Sequence, residues 1–530
     1  MGRFLRTRAR RDSGGGIAAS LSRWGQCAEK VKVTAIMTNI FKKNLLWKIF
    51  LFFDGLNIFF VLLFCIIKSE NHLPPSKMIL LPILLHLFYL IIYLCMCKFT
   101  NHSESAFFLS SNLPFIYMFF YGILLYYLSV HGRSEPIHDQ AAVYQGALYF
   151  ANLSESAPWE YFAKYNNNIM PSVILGIIFR IGSFGNTCDP FYFAVFINVI
   201  QIIITMYILF KLILKRCSPF YAWIGILIFS LYILPQAAHC MSLYTDAMSF
   251  SFGIIGFYLW EKYASANSNL SFLAKTFILG ILFGIAAIIK VTAIIPLIAI
   301  TGYTLIKRDF KAFYITLCTI IISALFFLLC GHLTSLLPSE DLRDMYGTPK
   351  WSYWIGIGLQ GNGGYNDNQD YVTHLNTIYG ITNKEAWSKQ YIQEHLSQFI
   401  DKHHIISKLR YNFANGSLGS GTFVQMTEPN NIFYKLMHYD GNLFWRYSLV
   451  MTGIMYFMYS CILLAIISNF YKQNSIDSTL VVSLFSIFGI MLYVMLFEAN
   501  NRQLFNHLPW FVLATTCGLS DFYNNIIANK

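Results

Sequence analysis

The sequence predicts an all-α polytopic membrane protein. It has about twelve transmembrane helices, interfacial helices in the first long outer loop, and a large extracytoplasmic loop. Three observations predict this. The 530 residues are 56% hydrophobic and only 12% charged, whereas a soluble domain carries about 25% charged residues. Apolar runs of about 20 residues recur, the length a helix needs to cross a bilayer. Lys and Arg gather in short connections beside those runs, where they orient helices. The runs should be helices because lipid offers no partner for an unpaired backbone N–H or C=O.

Apolar spans are expected at 47–67, 78–98, 112–130, 191–214, 219–236, 246–260, 273–289, 291–306, 312–331, 446–468, 479–497 and 505–521. Segment 169–184, IMPSVILGIIFRIGSF, is too short to span and carries Arg180, so it reads as a helix lying along the outer interface. Orientation follows from the basic connections. Lys211, Lys215 and Arg216, then Glu261, Lys262 and Lys275, then Lys307, Arg308 and Lys311 share the cytoplasmic side only if 169–184 does not cross. Both termini are then cytoplasmic. The outer face receives 131–190, the connection around Asp246, the turn near Lys290, the loop at 332–445 and the turn Glu498 to His507.

Four regions follow. Residues 1–46, with ten Lys and Arg and the Gly14–Gly16 patch, form a basic cytoplasmic tail without the apolar core of a secretory signal; Met37 is a candidate alternative start. Residues 47–331 form a membrane core around the outer loop 131–190. Residues 332–445 suffice for a small helical cap, with one helix expected over 387–413 from its apolar spacing. Residues 446–530 are C-terminal membrane helices.

The net charge of +12 does not mark a nucleic-acid binder, because the basic residues lie beside apolar spans. The eleven cysteines are scattered without metal-type pairing, and Cys95-Met-Cys97 reads as packing. No G-x-S-x-G or H-E-x-x-H is present, and GLQGNGG (358–364) lacks the strand-to-helix setting of a phosphate loop. His403-His404 reads as solvated loop.

A few polar residues stand out. Asp139, in HGRSEPIHDQAAVYQGALYF (131–150), is either a solvated loop carboxylate or a general base that deprotonates a hydroxyl. His138 reads as a neighbour or a phosphate contact, since adjacent helical residues face different ways. Tyr165, Asn166, Asn167 and Asn168 form either an Asn-rich cap or a set of amides suited to sugar hydroxyls. Asp246 is a first-turn helix acid or a second carboxylate in the same outer cavity as Asp139. Lys290 snorkels to the interface or meets a lipid-linked phosphate. Arg502, with Glu498 nearby, can grip phosphate through paired hydrogen bonds. Trp351, Trp354 and Tyr365 suit sugar faces or the membrane interface equally.

In their order and sidedness these pieces resemble the polyprenol-dependent (C-type) integral membrane glycosyltransferases. The likeness is greatest to the protein O-mannosyltransferase-like group and its bacterial cell-envelope relatives. It covers 112–306 best, and 345–370 and 495–515 more loosely. Two spans precede the one before the catalytic loop, where the family often has one. The mannosyltransferase His-Pro-Pro stretch is replaced by Asn-Asn-Asn-Ile-Met-Pro.

The resemblance implies a bacterial plasma-membrane enzyme with a polyprenyl-phosphate sugar donor. The acceptor would be an envelope glycan, lipid or protein, with membrane lipid around it. Transfer would be inverting, with Asp139 as base, and His138, Tyr165, Asn166, Asn167, Asp246, Lys290, Tyr365 and Arg502 would contact substrate. Some relatives place a divalent cation, Mg or Mn, between outer acids, a role open to Asp139 and Asp246. The rival readings are a multi-pass transporter and a lipid-linked-glycan flippase or polymerase.

Overall fold

The computed structural model describes residues 47–63, 75–99, 112–184, 187–264, 270–365, 370–425, 427–471 and 477–528. The basic tail and Met37 lie outside these, as do the side chains of Cys95 and Cys97. Residues 54–530 form one compact unit. Among the described residues every regular element is helical.

The chain runs through α1 (47–63), α2 (Pro75–Phe99) and α3 (Leu113–His131) into α4 (His138–Phe150), α5 (Trp159–Lys164) and α6 (Ile169–Gly182). Next come α7 (Pro190–Arg216), α8 (Pro219–Ser230), α9 (Ile233–Ser242), α10 (Thr245–Met248), α11 (Phe252–Ala264), α12 (Phe272–Ile289), α13 (Ile295–Lys307) and α14 (Phe310–Ser335). Short helices follow: α15 (Glu340–Tyr346), α16 (Lys350–Leu359), α17 (Asp370–Thr377), α18 (Ile381–Glu394), α19 (Lys402–Phe413) and α20 (Ile432–Met437). The chain closes with α21 (Phe444–Tyr471), α22 (Ser478–Leu496) and α23 (Leu508–Ala528).

Among the described residues six helices are long and apolar enough to cross a membrane: α3, α7, α12, α14, α21 and α22. The α8–α9 pair makes a seventh span if its 56° bend is counted within one crossing. Of the other expected runs, those at 246–260 and 291–306 are short helices, α11 and α13, with 13 residues each. The α8–α9 break falls at Leu231-Tyr232, four residues before Pro235, which has no amide to bond the Leu231 carbonyl. There Gln236 Nε2 donates to the Phe229 carbonyl (3.1 Å) while Tyr121 donates to Gln236 Oε1 (2.7 Å). A side chain thus repairs a backbone bond lost at the bend.

Burial separates centre from periphery. In α21, 72% of the most apolar stretch is buried, against 22% in α14. The outer face of α3 presents Phe115, Phe119 and Phe120, each more than half exposed, as suits a lipid-facing helix. Helices α12 and α14 pack closely at Gly280 and Gly284. A Cβ there would sit 2.5 Å from Ile322 and 2.8 Å from Phe326, and Ser323 Oγ donates to the Gly280 carbonyl at 3.0 Å. Small residues four apart allow backbones this near in an apolar medium.

Helix α6 has 14 residues, about 21 Å at 1.5 Å per residue, short of a hydrocarbon core of about 30 Å. It buries Leu175 and Phe179 and exposes Ile177 and Ile181. It packs on α4, where Gly176 closes against Phe150 and Gly146 against Ser172.

Residues 340–437 form short helices around buried Tyr353, Ile357, Tyr371, Val372 and Leu375, with Tyr165, Trp354, Trp387 and Tyr391 against them. Two expectations are corrected here. The single helix over 387–413 is instead α18, a 3₁₀ turn at Leu396–Ile400, and α19. The helix breaks because Asp401 is extended (φ −71°, ψ 120°) and caps α19, accepting from the His404 amide at 2.9 Å. His404 is also not solvated. It is buried, with ring nitrogens 3.0 Å from the Gly361 and Gly358 carbonyl oxygens.

Candidate functional site

Asp139 sits in the first turn of α4, directly after His138, whose φ of +48° is unusual for a residue with a Cβ. Its carboxylate meets groups from distant parts of the chain. Tyr161 on α5 donates to Oδ1 at 2.9 Å, and Tyr244 donates to Oδ2 at 3.4 Å. Arg502 Nη2 lies 3.7 Å from Oδ2. Asn168 Nδ2 donates to the Tyr161 hydroxyl at 2.6 Å and so fixes the ring that addresses Asp139.

Behind Asp139 the charges are buried. Asp246 is fully enclosed on α10 and is ion-paired with Lys290. Arg502 Nε lies 4.0 Å from Asp246 Oδ2, and its guanidinium stands 5.0 Å from the Tyr244 ring centroid. Side-chain exposure falls from 39% at Asp139 to 18% at Arg502, 13% at Lys290 and none at Asp246. A reachable carboxylate therefore fronts two nearly enclosed cations.

Local structure explains this placement. Lys290 follows the last turn of α12 in extended conformation (φ −155°, ψ 118°), turning its side chain out of the helical path. Arg502 rides on a 3₁₀ helix, Asn501–His507, capped by Asn500 Oδ1, which accepts from the Arg502 amide at 3.3 Å. Asn506 Nδ2 donates to Ser249 Oγ (2.7 Å), tying that helix to the segment after Asp246.

Glycine-rich loops back the site. The Ala499 amide donates to the Gly363 carbonyl at 2.7 Å. Buried Lys408 donates to the carbonyls of Gly358 (2.9 Å), Met495 (2.9 Å) and Phe497 (2.8 Å), clasping the ends of α16 and α22. An ammonium suits the negative ends of helices. Burial nonetheless pushes the Lys408 amine down to about 7, with Glu498 acting the other way.

Gly419 has φ +72°, and a Cβ there would lie 2.4 Å from the Arg502 Cβ and 2.8 Å from its Cα. Gly419→Ala is therefore expected to cost about 1–3 kcal/mol and to shift Arg502. Thermal unfolding of the purified variant, with Arg502→Lys alongside, checks this. A melting temperature equal to wild type would show that the loop yields freely.

Of the nine residues singled out by sequence, Asp139, Asp246, Lys290 and Arg502 meet in one ionic network. Tyr165 and Tyr365 meet nearby, with Tyr165 hydroxyl contacts to Tyr353 (3.2 Å) and Tyr365 (3.4 Å). The Tyr165 ring lies 5.0 Å from that of Tyr161. Asn167 donates to Asn168 Oδ1 at 3.3 Å, so Asn168 rather than Asn166 or Asn167 reaches the network. Asn166 is half-buried in the same 3₁₀ turn, and His138 is exposed beside Asp139. Sequence reasoning missed Tyr161 and Tyr244. The only sequence signal for Tyr244 is its place two residues before Asp246.

A divalent cation would need Asp139 and Asp246 as ligands, but both carboxylates already face cationic side chains. Among the described residues no three His, Cys, Asp or Glu side chains converge as a metal site. The donor set does not fit such an ion, and no step below passes through one.

This helical frame, with its long apolar spans and a buried ionic cluster, defines a polytopic integral membrane protein. Residues 38–521 match a family described as conserved hypothetical integral membrane protein, and the chain belongs to that family. No curated protein matches the chain, and no solved structure does.

Proposed function

We propose that the chain is a membrane glycosyltransferase, moving a sugar from a polyprenyl-phosphate donor to an envelope glycan, lipid or protein. One observation carries the reading: reachable Asp139 lies 3.7 Å from Arg502, with Lys290 paired to Asp246 behind. The acceptor hydroxyl attacks the anomeric carbon, Asp139 takes its proton, and the sugar–phosphate bond breaks with inversion. Arg502 and Lys290 receive the charge that develops on the departing phosphate. Tyr161 and Tyr244 hold the base in place; Tyr165, Tyr365 and the amides of Asn166 and Asn167 face the sugar, with His138 at the rim. In this reading the expected twelve spans include the shorter helices. α6 lies along the outer interface, both termini are cytoplasmic, and the membrane is the bacterial plasma membrane.

The test is transfer from a panel of polyprenyl-phosphate sugars by the purified chain in lipid nanodiscs. Turnover of at least one donor is expected; no turnover of any, with a working control enzyme, would defeat the reading. A transporter or flippase is the second reading, favoured by the bent α8–α9 pair, whose second helix leads into the segment that carries Asp246, since transporters place broken helices at their sites. Donor flipping without transfer in sealed vesicles would select it.

The site should respond to pH through Glu498. Burial raises its carboxyl above the ordinary range, Arg502 pulls it down, Asp139 adds to the rise, and Lys290 opposes it. Tyr353, Tyr493 and Lys408 also feel its charge. A raised folded-state value means that the native chain takes up a proton as pH falls through it. Stability contributed this way is lost as pH rises through that value. As pH falls through it, one negative charge leaves the neighbourhood of Arg502. The donor KM is expected to fall as pH drops through this range, and Glu498→Gln should flatten the dependence near its low-pH level. An unchanged slope in that variant would assign the titration elsewhere.

A further inference from the structure

Helix α17 is two-sided. Tyr371, Val372 and Leu375 are buried in the core of the 340–437 region. Asp370, Thr373, His374 and Thr377, spaced three, four and seven apart, share the other face and are exposed. This polar stripe borders an open cavity of about 440 Å³ whose remaining wall is Trp387 and Tyr391, one turn apart on α18. The aromatics are fixed from behind. The ring of buried Tyr371 lies 5.5 Å from Trp387 at 25° and 4.8 Å from Tyr391. His374 lies 4.5 Å from Trp387 at the rim.

We propose that this cavity is a saccharide-binding subsite that receives a sugar ring of the acceptor glycan. A pyranose has an apolar face of C–H groups and an equatorial rim of hydroxyls, and the cavity presents the matching halves. Trp387, beside a Tyr391 ring held in place by His395 stacked on it at 4.0 Å, meets the C–H face at small entropic cost. A carboxylate, an imidazole and two threonine hydroxyls on the facing helix meet the rim. A pocket serving only as the core of the loop would enclose Trp387 as it encloses Tyr371, yet Trp387 and Tyr391 are half-exposed at its wall. The name acceptor rests on the glycosyltransferase reading; saccharide binding itself does not.

The test is saturation-transfer NMR and tryptophan-fluorescence titration of the full chain in nanodiscs with cellobiose, chitobiose, lactose and maltose. At least one should bind, with saturation greatest on ring C–H protons. Trp387→Ala should weaken binding about tenfold or more, and Trp387→Phe should retain most of it. Asp370→Asn and His374→Gln, on the exposed stripe, should weaken it several-fold; they carry the test if Trp387→Ala does not fold. Binding of none of the four sugars, or binding indifferent to the Trp387 and Asp370 changes, overturns the proposal. A chain that binds these sugars yet transfers none defeats the glycosyltransferase reading and leaves the subsite standing. A chain that transfers, with acceptor KM unmoved by Trp387→Ala, defeats the subsite alone.

Discussion

Asp139→Asn is expected to lower sugar transfer by about 10²–10⁴-fold, the usual contribution of a positioned base, in a protein that folds and melts like wild type. Asparagine has the same shape and keeps an oxygen to accept from Tyr161, which now donates at 2.9 Å. It cannot take a proton from an attacking hydroxyl. Arg502 keeps its contact with Asp246 at 4.0 Å, so the cations behind the base should stay in place. The loss should therefore appear in kcat, while donor KM should if anything fall, because Arg502 loses the negative charge 3.7 Å away. Equal turnover by the two proteins would show that another group is the base. A matching fall in stability would assign Asp139 a structural role.

Lys290→Met should be the most destabilising single change at the site, by about 3–5 kcal/mol. It leaves the Asp246 carboxylate with no exposed surface and only the more distant Arg502 guanidinium for compensation. Combining Lys290→Met with Asp246→Asn removes the stranded charge and should recover most of that loss, while Lys290→Arg should cost less than the methionine. Chemical unfolding of wild type, Lys290→Met, Asp246→Asn and the double variant in one detergent measures the cycle, with Lys290→Arg beside them. A single variant as stable as wild type would mean that Asp246 is protonated or solvated without its lysine. If Lys290 meets the donor phosphate as proposed, the double variant should remain deficient in donor binding even where stability returns. Restored donor affinity would remove Lys290 from the phosphate site.

The long helices were readable from the chain. Runs expected at 191–214, 273–289 and 312–331 appear as Pro190–Arg216, Phe272–Ile289 and Phe310–Ser335. Their ends are marked locally: Asp189 caps the first, Ser271 the second and Asp309 the third. The run at 219–236 misled, because the α8–α9 bend is stabilised by Gln236 and Tyr121, a contact made across 115 residues. The expected start of a span at Asp246 became the four-residue helix α10, with α11 beginning at Phe252. Asp139, Asp246, Lys290 and Arg502 were found because a charge beside an apolar run needs a reason. Tyr161 and Tyr244 could not be found that way, since 34 tyrosines in this chain serve equally well as packing or interface residues.

By itself, the sequence determined that this chain is helical and belongs in a bilayer, and which polar residues stand out against its apolar runs. Those are short-range properties: a backbone in lipid must pair within its own segment, and a charge is conspicuous wherever its neighbours are apolar. Only the tertiary structure decided that Lys290 holds Asp246, that Tyr161 and Tyr244 both address Asp139, and that Gly419 presses on Arg502. Those pairings depend on how helices far apart in the chain pack, and each side chain taken alone is compatible with many partners.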